Sequence, residues 1–231
     1  MSIFCLPRFR HSGKHRRRGG GLALLLLASL AGCSLGNPLG RTFGWFSYLD
    51  AADIRDSCSG GSGERYRLIY NAMWGEQVRV YDLTAAPGDA SVSLAVRVFF
   101  PEILNQINVL DPLELYRGQT GTVALNSVDM AAFRAVLHDS DFEAATPRGL
   151  ILPSNGFYWV VAACRAGIFH YNAYLYPSPR FAAIRFDRWL FEHDPTGVAI
   201  VPPGQVGDNG PHAYFEMMVG ADGLVGIGSP F

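Results

Sequence analysis

The sequence predicts an α+β fold: one antiparallel sheet of about six to eight strands, packed by two or three helices in a single domain. Three observations predict it. From residue 64 onward, short segments alternate apolar and polar side chains with period two. Turns rich in Gly, Pro and Asn separate these segments and are short enough to join antiparallel neighbours. One stretch, 126–138, combines a helix-start signal with apolar residues at spacings of three and four.

Taken in order, Trp45 to Asp56 reads as a short helix with Trp45, Tyr48, Leu49 and Ala52 on one face. Ser57 to Gly63 is a Gly/Ser loop; no Lys or Thr and no helix signal follow it, so it is not a phosphate cradle. Glu64–Tyr70 places Tyr66, Leu68 and Tyr70 on one side of a strand, and the turn Asn71–Gly75 leads into a second strand, Glu76–Leu83. That strand sets Val78 and Val80 against Arg79 and Tyr81. After the turn signal Pro87-Gly88-Asp89, Ser91–Phe99 carries the cleanest alternation, with Val92, Leu94, Val96 and Val98 on one face. The three strands read as an antiparallel meander. Pro101 to Leu110 is a helical turn or an irregular excursion, and Thr120–Leu125 a short strand.

Asn126 or Ser127 caps a helix running to His138, with Asp129 in its first turn and Met130, Phe133, Val136 and Leu137 as its apolar face. Phe157–Arg165 and Gly167–Tyr176 form a hairpin. The first arm is almost wholly apolar and is expected to be a central strand buried on both faces. Phe181–His193 fits either a helix or a strand. Val198–Val201 and Ala213–Val219 read as closing strands, and the tail Gly220–Phe231 is weakly patterned. Thr146–Pro153 and Asp194–Pro202 echo one another as turn-then-strand segments, which implies no duplication.

The amino-terminal segment has a separate logic. His11 to Arg18 is basic, no acidic residue occurs before residue 33, and Leu22–Leu30 is a nine-residue apolar run. Such a run is too short to span a bilayer, which takes ~20 apolar residues, and matches the core of an export signal. Leu30-Ala31-Gly32-Cys33 follows. This order resembles the lipobox of bacterial lipoproteins: an aliphatic residue, two small residues, then a cysteine. The resemblance implies that 1–32 are a signal peptide removed by cleavage. It further implies that the Cys33 thiol receives a diacylglyceryl group and that the new amino terminus is acylated with palmitate-type chains. Two or more chains hold a protein on a membrane stably at ~0.8 kcal/mol per buried CH₂. The Arg16-Arg17 pair is followed by Arg18 and three glycines rather than apolar residues, which favours the general secretory route over twin-arginine export. Ser34 stands where an Asp retains Gram-negative lipoproteins at the inner membrane, so the resemblance points to the outer membrane with the domain facing the periplasm. Residues 33–44 would then be the lipidated cysteine and its tether, and 45–231 the domain.

Removing 1–32 takes away six of the 19 Lys+Arg and none of the 20 Asp+Glu, leaving 13 cations against 20 anions, a formal net of −7. Lys14 is the only lysine. The remainder therefore has no catalytic lysine and no P-loop, and its acidic balance argues against nucleic-acid partners. The expected partners are the lipid bilayer through acylated Cys33 and an envelope protein.

Cys5 lies in the signal and Cys33 in the lipobox, so Cys58 and Cys164 remain as an even pair in an oxidising compartment. A disulfide is expected. Two buried thiols, or a metal or redox pair, are the alternatives; the absence of a CxxC disfavours the last.

Catalytic motifs are sparse. His138, His170, His193 and His212 are scattered, with no HExxH or HxH, so neither a metal site nor a cofactor is expected. GxSxG is absent, and Ser154-Asn155-Gly156 reads as a turn. Asp139, Asp141 and Glu143 read as a solvated loop after the helix. The candidate binding face is His170, Asn172, Tyr174 and Tyr176, which period-two spacing puts on one side of one strand. It suits a sugar, a peptide or an aromatic ligand, but strand propensity alone also accounts for its tyrosines. The function expected is a non-catalytic envelope protein, acting by binding or in envelope assembly. The alternatives are an envelope hydrolase whose site forms only in three dimensions, and a small-ligand or glycan binder using the His170–Tyr176 face.

Overall fold

A computed structural model describes residues 49, 51–59, 63–100, 118–204, 216–221 and 223–228. The signal segment, the Cys33 lipobox, the tether, the 101–110 excursion, His212 and the start of the predicted 213–219 strand lie outside these residues. Within them the protein is an α+β domain with a six-stranded antiparallel sheet in the order β4-β3-β2-β1-β6-β7. The strands are β1 Glu64–Ala72, β2 Gln77–Ala85, β3 Val92–Phe99, β4 Gln119–Leu125, β6 Phe157–Arg165 and β7 Ile168–Leu175. A second, three-stranded sheet, ordered β5-β8-β9, comprises β5 Ile151–Pro153, β8 Glu216–Val219 and β9 Leu224–Gly228. The helices are α1 Ala52–Cys58, α2 Ser127–His138, α3 Pro179–Ala182 and α4 Phe186–Glu192.

The meander β1–β2–β3–β4 forms as the alternation requires, because each strand has one face to bury. β6 is the exception in sequence and in place: its apolar run pairs with β1 on one side and β7 on the other, and eight of its nine residues are buried. One face of the sheet carries Tyr66, Leu68, Tyr70, Tyr81, Leu94, Val96, Trp159 and Tyr174. Met130, Phe133 and Leu137 of α2 and Phe186, Trp189 and Leu190 of α4 cover it. The other face carries Ile69, Val78, Val80, Tyr158, Val160 and Tyr171, covered by Leu49 and Ile54 and by Leu152, Met217 and Val219 from the small sheet. The architecture is therefore helix, large sheet, then α1 with the small sheet.

Helix α2 starts where its capping box starts. Asn126 Oδ1 accepts the N–H groups of Val128 (2.8 Å) and Asp129 (3.0 Å), and Asp129 Oδ2 accepts the N–H of Asn126 (3.0 Å). Arg134 leaves its outer face to pair bidentately with Asp89 (2.9 and 2.8 Å) and with Glu64 (2.9 Å), fixing α2 to the β2–β3 turn and to the start of β1.

The α+β class and the antiparallel sheet of six strands stand as expected, and a second, smaller sheet is added to them. Val198–Val201 is extended but joins no ladder, because side chains rather than a strand satisfy its backbone. Arg79 donates to the carbonyls of Val198 (2.7 Å) and Ala199 (2.8 Å), Gln77 to that of Ala199 (3.0 Å), and Tyr70 to that of Val201 (2.9 Å). The weakly patterned tail contains β9, which pairs with β8. The ambiguous stretch 181–193 resolves as helix, with a Ser178 side-chain cap on α3 accepting the Phe181 N–H (3.1 Å). The described part of the first predicted helix is α1, Ala52–Cys58; Trp45 and Tyr48 lie outside the described residues.

Candidate functional site

The cysteine pair is bonded: Cys58 and Cys164 form a disulfide with Cα atoms 5.4 Å apart across a sequence separation of 106. It ties the last residue of α1 to the penultimate residue of β6. Ion pairs reinforce the attachment. Arg67, nearly buried on β1, reaches Asp53 of α1 (2.9 Å) and Asp82 of β2 (2.7 Å), and Arg65 reaches Asp53 (3.1 Å). Helix α1 is thereby stapled to the centre of the sheet. An open cavity of about 640 Å³ lies against the disulfide, lined mainly by Ser57, Glu64, Arg65, Thr84 and Ser93.

The predicted binding face is placed on one side of β7, as the period requires, but it is not a half-wet surface. Asn172 and Tyr174 are 0 % exposed. Asn172 Nδ2 donates to the carbonyls of Phe142 (2.9 Å) and Ala144 (3.0 Å), and its Oδ1 accepts from Arg180 (2.6 Å). The Tyr174 hydroxyl donates to the Ser140 carbonyl (3.1 Å), and the Arg180 guanidinium lies 5.0 Å from the ring centroid. His170 meets the Phe142 ring edge-on at 5.9 Å. These groups hold the 140–146 segment over the sheet edge, where Thr146 also donates to the Tyr171 carbonyl (2.7 Å). The sequence alone could not show this, because the covering segment is brought there by the fold. Of the four residues, Tyr176 lines a groove.

That groove, about 630 Å³, follows β7 and runs beneath α3 to the start of α4. Tyr176, Pro177, Pro179, Phe181 and Ile184 give it apolar walls, and Asp187 is its one charged lining residue. The Tyr176–Pro177 peptide is cis. The Tyr176 ring meets Phe181 at 72° with centroids 5.3 Å apart, and meets Phe157 at 80° and 6.1 Å. Burial pushes the Asp187 carboxyl above its ordinary range, against the opposing effect of backbone N–H donors and Arg185. Sequence reading missed Phe181 and Asp187, because helix and strand were not separable there and the groove depends on the path after Tyr176.

The catalytic candidates do not converge. Asp194 accepts from Arg79 (2.5 Å), Tyr81 (3.1 Å), Thr196 N–H (2.8 Å) and Thr196 Oγ (2.5 Å), which occupies both oxygens. His193 stacks on Trp189 at 4.0 Å, and its Nδ1 donates to the Trp189 carbonyl (2.8 Å), so it turns away from its neighbour Asp194. His138 lies 3.4 Å from Glu143 on the surface, and Glu143 also pairs with Arg165 (2.8 Å). Ser154 is buried, and its carbonyl accepts from Asn71 (3.0 Å) and from the Trp74 N–H (2.7 Å), so the 153–156 turn is braced by the β1–β2 hairpin. Among the described residues no group of three or more His, Cys, Asp or Glu converges as a metal-ligand set, and no helix is long and apolar enough to cross a membrane.

No known protein family, curated protein or solved structure matches the chain.

Proposed function

We propose that the chain is an exported lipoprotein, acylated at Cys33 and held at the outer membrane, whose domain faces the periplasm and acts by binding rather than by catalysis. The observation that carries this reading is Leu30-Ala31-Gly32-Cys33 placed directly after nine apolar residues and a basic segment. Order, spacing and composition together give an export signal ending in an acyl acceptor. The Cys58–Cys164 disulfide supports the same compartment, since such bonds persist in oxidising surroundings. The binding role is supported by how the polar groups are used. The Asp194, His193 and Asn172 side chains are occupied by structural hydrogen bonds, whereas the Tyr176–Asp187 groove has apolar walls, is open and is of ligand size. An envelope-assembly role fits the same anchor, with an envelope protein as partner.

The test is fractionation of cells carrying the wild type or Cys33→Ala. The wild type should sediment with outer membranes and incorporate labelled palmitate. The variant should keep its signal segment or appear as soluble, unlabelled protein. Identical processing and distribution of the two would reject the anchor.

A further inference from the structure

We propose that the groove between Tyr176 and Asp187 binds a small soluble organic ammonium ion, a nitrogen cation clothed in methyl or methylene groups. This rests on the binding reading above and is independent of the anchor. Two aromatic rings at 72°, Tyr176 and Phe181, make a corner with centroids 5.3 Å apart. Pro177, Pro179 and Ile184 extend the apolar lining, and the volume of about 630 Å³ suits a small molecule.

The charge in the groove is unanswered. The Asp187 carboxylate accepts the N–H of Arg188 (2.7 Å), a bond within its own turn, and among the described residues it forms no ion pair. Arg185 is near enough to act on it electrostatically, but its guanidinium donates to the carbonyls of Ala182 (3.3 Å) and Ile184 (2.8 Å). The position of Asp187 in the first turn of α4 accounts for an acid there through the helix dipole. It does not account for the aromatic corner beside it.

Chemistry then narrows the occupant. A carboxylate in a groove that two aromatic rings also line attracts a cation whose skin is apolar, through charge and through cation–π contact. A metal ion would need several oxygen ligands, and the lining offers one carboxylate. A sugar would need a larger set of hydrogen-bonding groups than this lining of mostly Pro, Phe, Ala and Ile offers, and Ser178 Oγ already accepts the Phe181 N–H (3.1 Å). An anion would meet Asp187.

The experiment titrates choline, and its neutral isostere 3,3-dimethylbutan-1-ol, into the full chain as processed by the cell and purified in detergent, with heat as the readout. Choline should bind saturably with a Kd of about 1 mM or tighter, and the isostere about tenfold more weakly. Asp187→Asn should bring choline down to the level of the isostere. Tyr176→Leu, which keeps apolar bulk but removes the ring, should weaken choline more than the isostere. Near-ultraviolet circular dichroism checks that each variant is folded; if Asp187→Asn is not, Tyr176→Leu and the isostere decide. Equal binding of the two ligands, absence of saturation, choline affinity unchanged in the folded variants, or binding only to phosphatidylcholine vesicles would each overturn the proposal. A soluble Cys33→Ala protein should bind choline as the wild type does, so failure of the anchor and failure of the groove are separately visible.

Discussion

Arg79 and Asp194 are 115 residues apart in sequence and form an ion pair sealed from water, their side chains 0 % and 5 % exposed. The pair is the closure of the helical face. Arg79 also donates to Gln77 (2.8 Å) and to two carbonyls of the 194–201 strap, so all three guanidinium nitrogens that can donate are used. Asp194 is equally committed. A buried pair so completely hydrogen-bonded fixes where the strap lies, whatever its net contribution to stability.

Breaking it from one side should therefore be costly. Arg79→Met leaves a buried carboxylate without its cation and the Val198 carbonyl without its donor, and should destabilise the domain by about 3–5 kcal/mol. Asp194→Asn should also destabilise, and the double variant should lose less than the sum of the singles because neither partner is then left alone. Urea unfolding of the three variants checks this; additive losses would show that the two groups do not act as a pair.

The strap is also held by close contact. A Cβ on Gly121 would come within 2.8 Å of Pro195 Cγ and 3.2 Å of its carbonyl carbon. Pro195 follows the pinned Asp194 and its ring is stiff, so Gly121→Ala should cost about 1–3 kcal/mol. Gly204→Ala, which among the described residues meets a carbonyl oxygen at 4.0 Å, should change stability by less than about 0.5 kcal/mol. Thermal unfolding of both variants separates overpacking from a general effect of adding a methyl group.

The disulfide closes a loop of 106 residues. In the chain-entropy treatment a loop of that size is worth about 4.7 kcal/mol, acting on the unfolded chain. Replacing both Cys58 and Cys164 by Ser should lower the urea midpoint, and added reductant should bring the wild type to the same value. A wild type insensitive to reductant under unfolding conditions would contradict this.

Burial raises five tyrosines, Tyr66, Tyr70, Tyr81, Tyr158 and Tyr174, above the ordinary phenol value, with desolvation the largest cause in each. The folded state keeps these protons when the unfolded chain would release them. The associated stability is complete below pH 10 and declines as pH rises above it, since the unfolded tyrosines titrate near 10. Absorbance at 295 nm should show an early phase from exposed tyrosines and a later one coincident with loss of circular dichroism. All ten tyrosines titrating together near pH 10 in a chain that stays folded would contradict it.

What was legible in the sequence follows from what is local. The alternation of β1, β2 and β3, the two-face burial of β6 and the Asn126 cap were readable because each depends on residues within one element. The second sheet was not, since β5 is three residues long and its partners lie beyond residue 215. Period-two spacing was enough to place His170, Asn172 and Tyr174 together on one side of their strand. What covers it, the segment from Ser140 to Thr146, is brought there by tertiary folding, and no periodicity announces that. Asp187 carries no motif at all; it becomes notable only beside Phe181 and Tyr176. The repeated turn-then-strand pattern at Thr146–Pro153 and Asp194–Pro202 has a real local basis, as Gly149 and Gly197 both take positive φ (82° and 67°), but only the first leads into a ladder.

The anchor is the claim on which the proposed compartment and envelope role depend, and the intact mass of the protein extracted from membranes tests it most directly. Acylation predicts a chain beginning at residue 33 and heavier than its polypeptide by a diacylglyceryl group and a fatty acyl chain, with the extra mass confined to the Cys33 peptide. A chain retaining residues 1–32 with an unmodified thiol at Cys33 would contradict it.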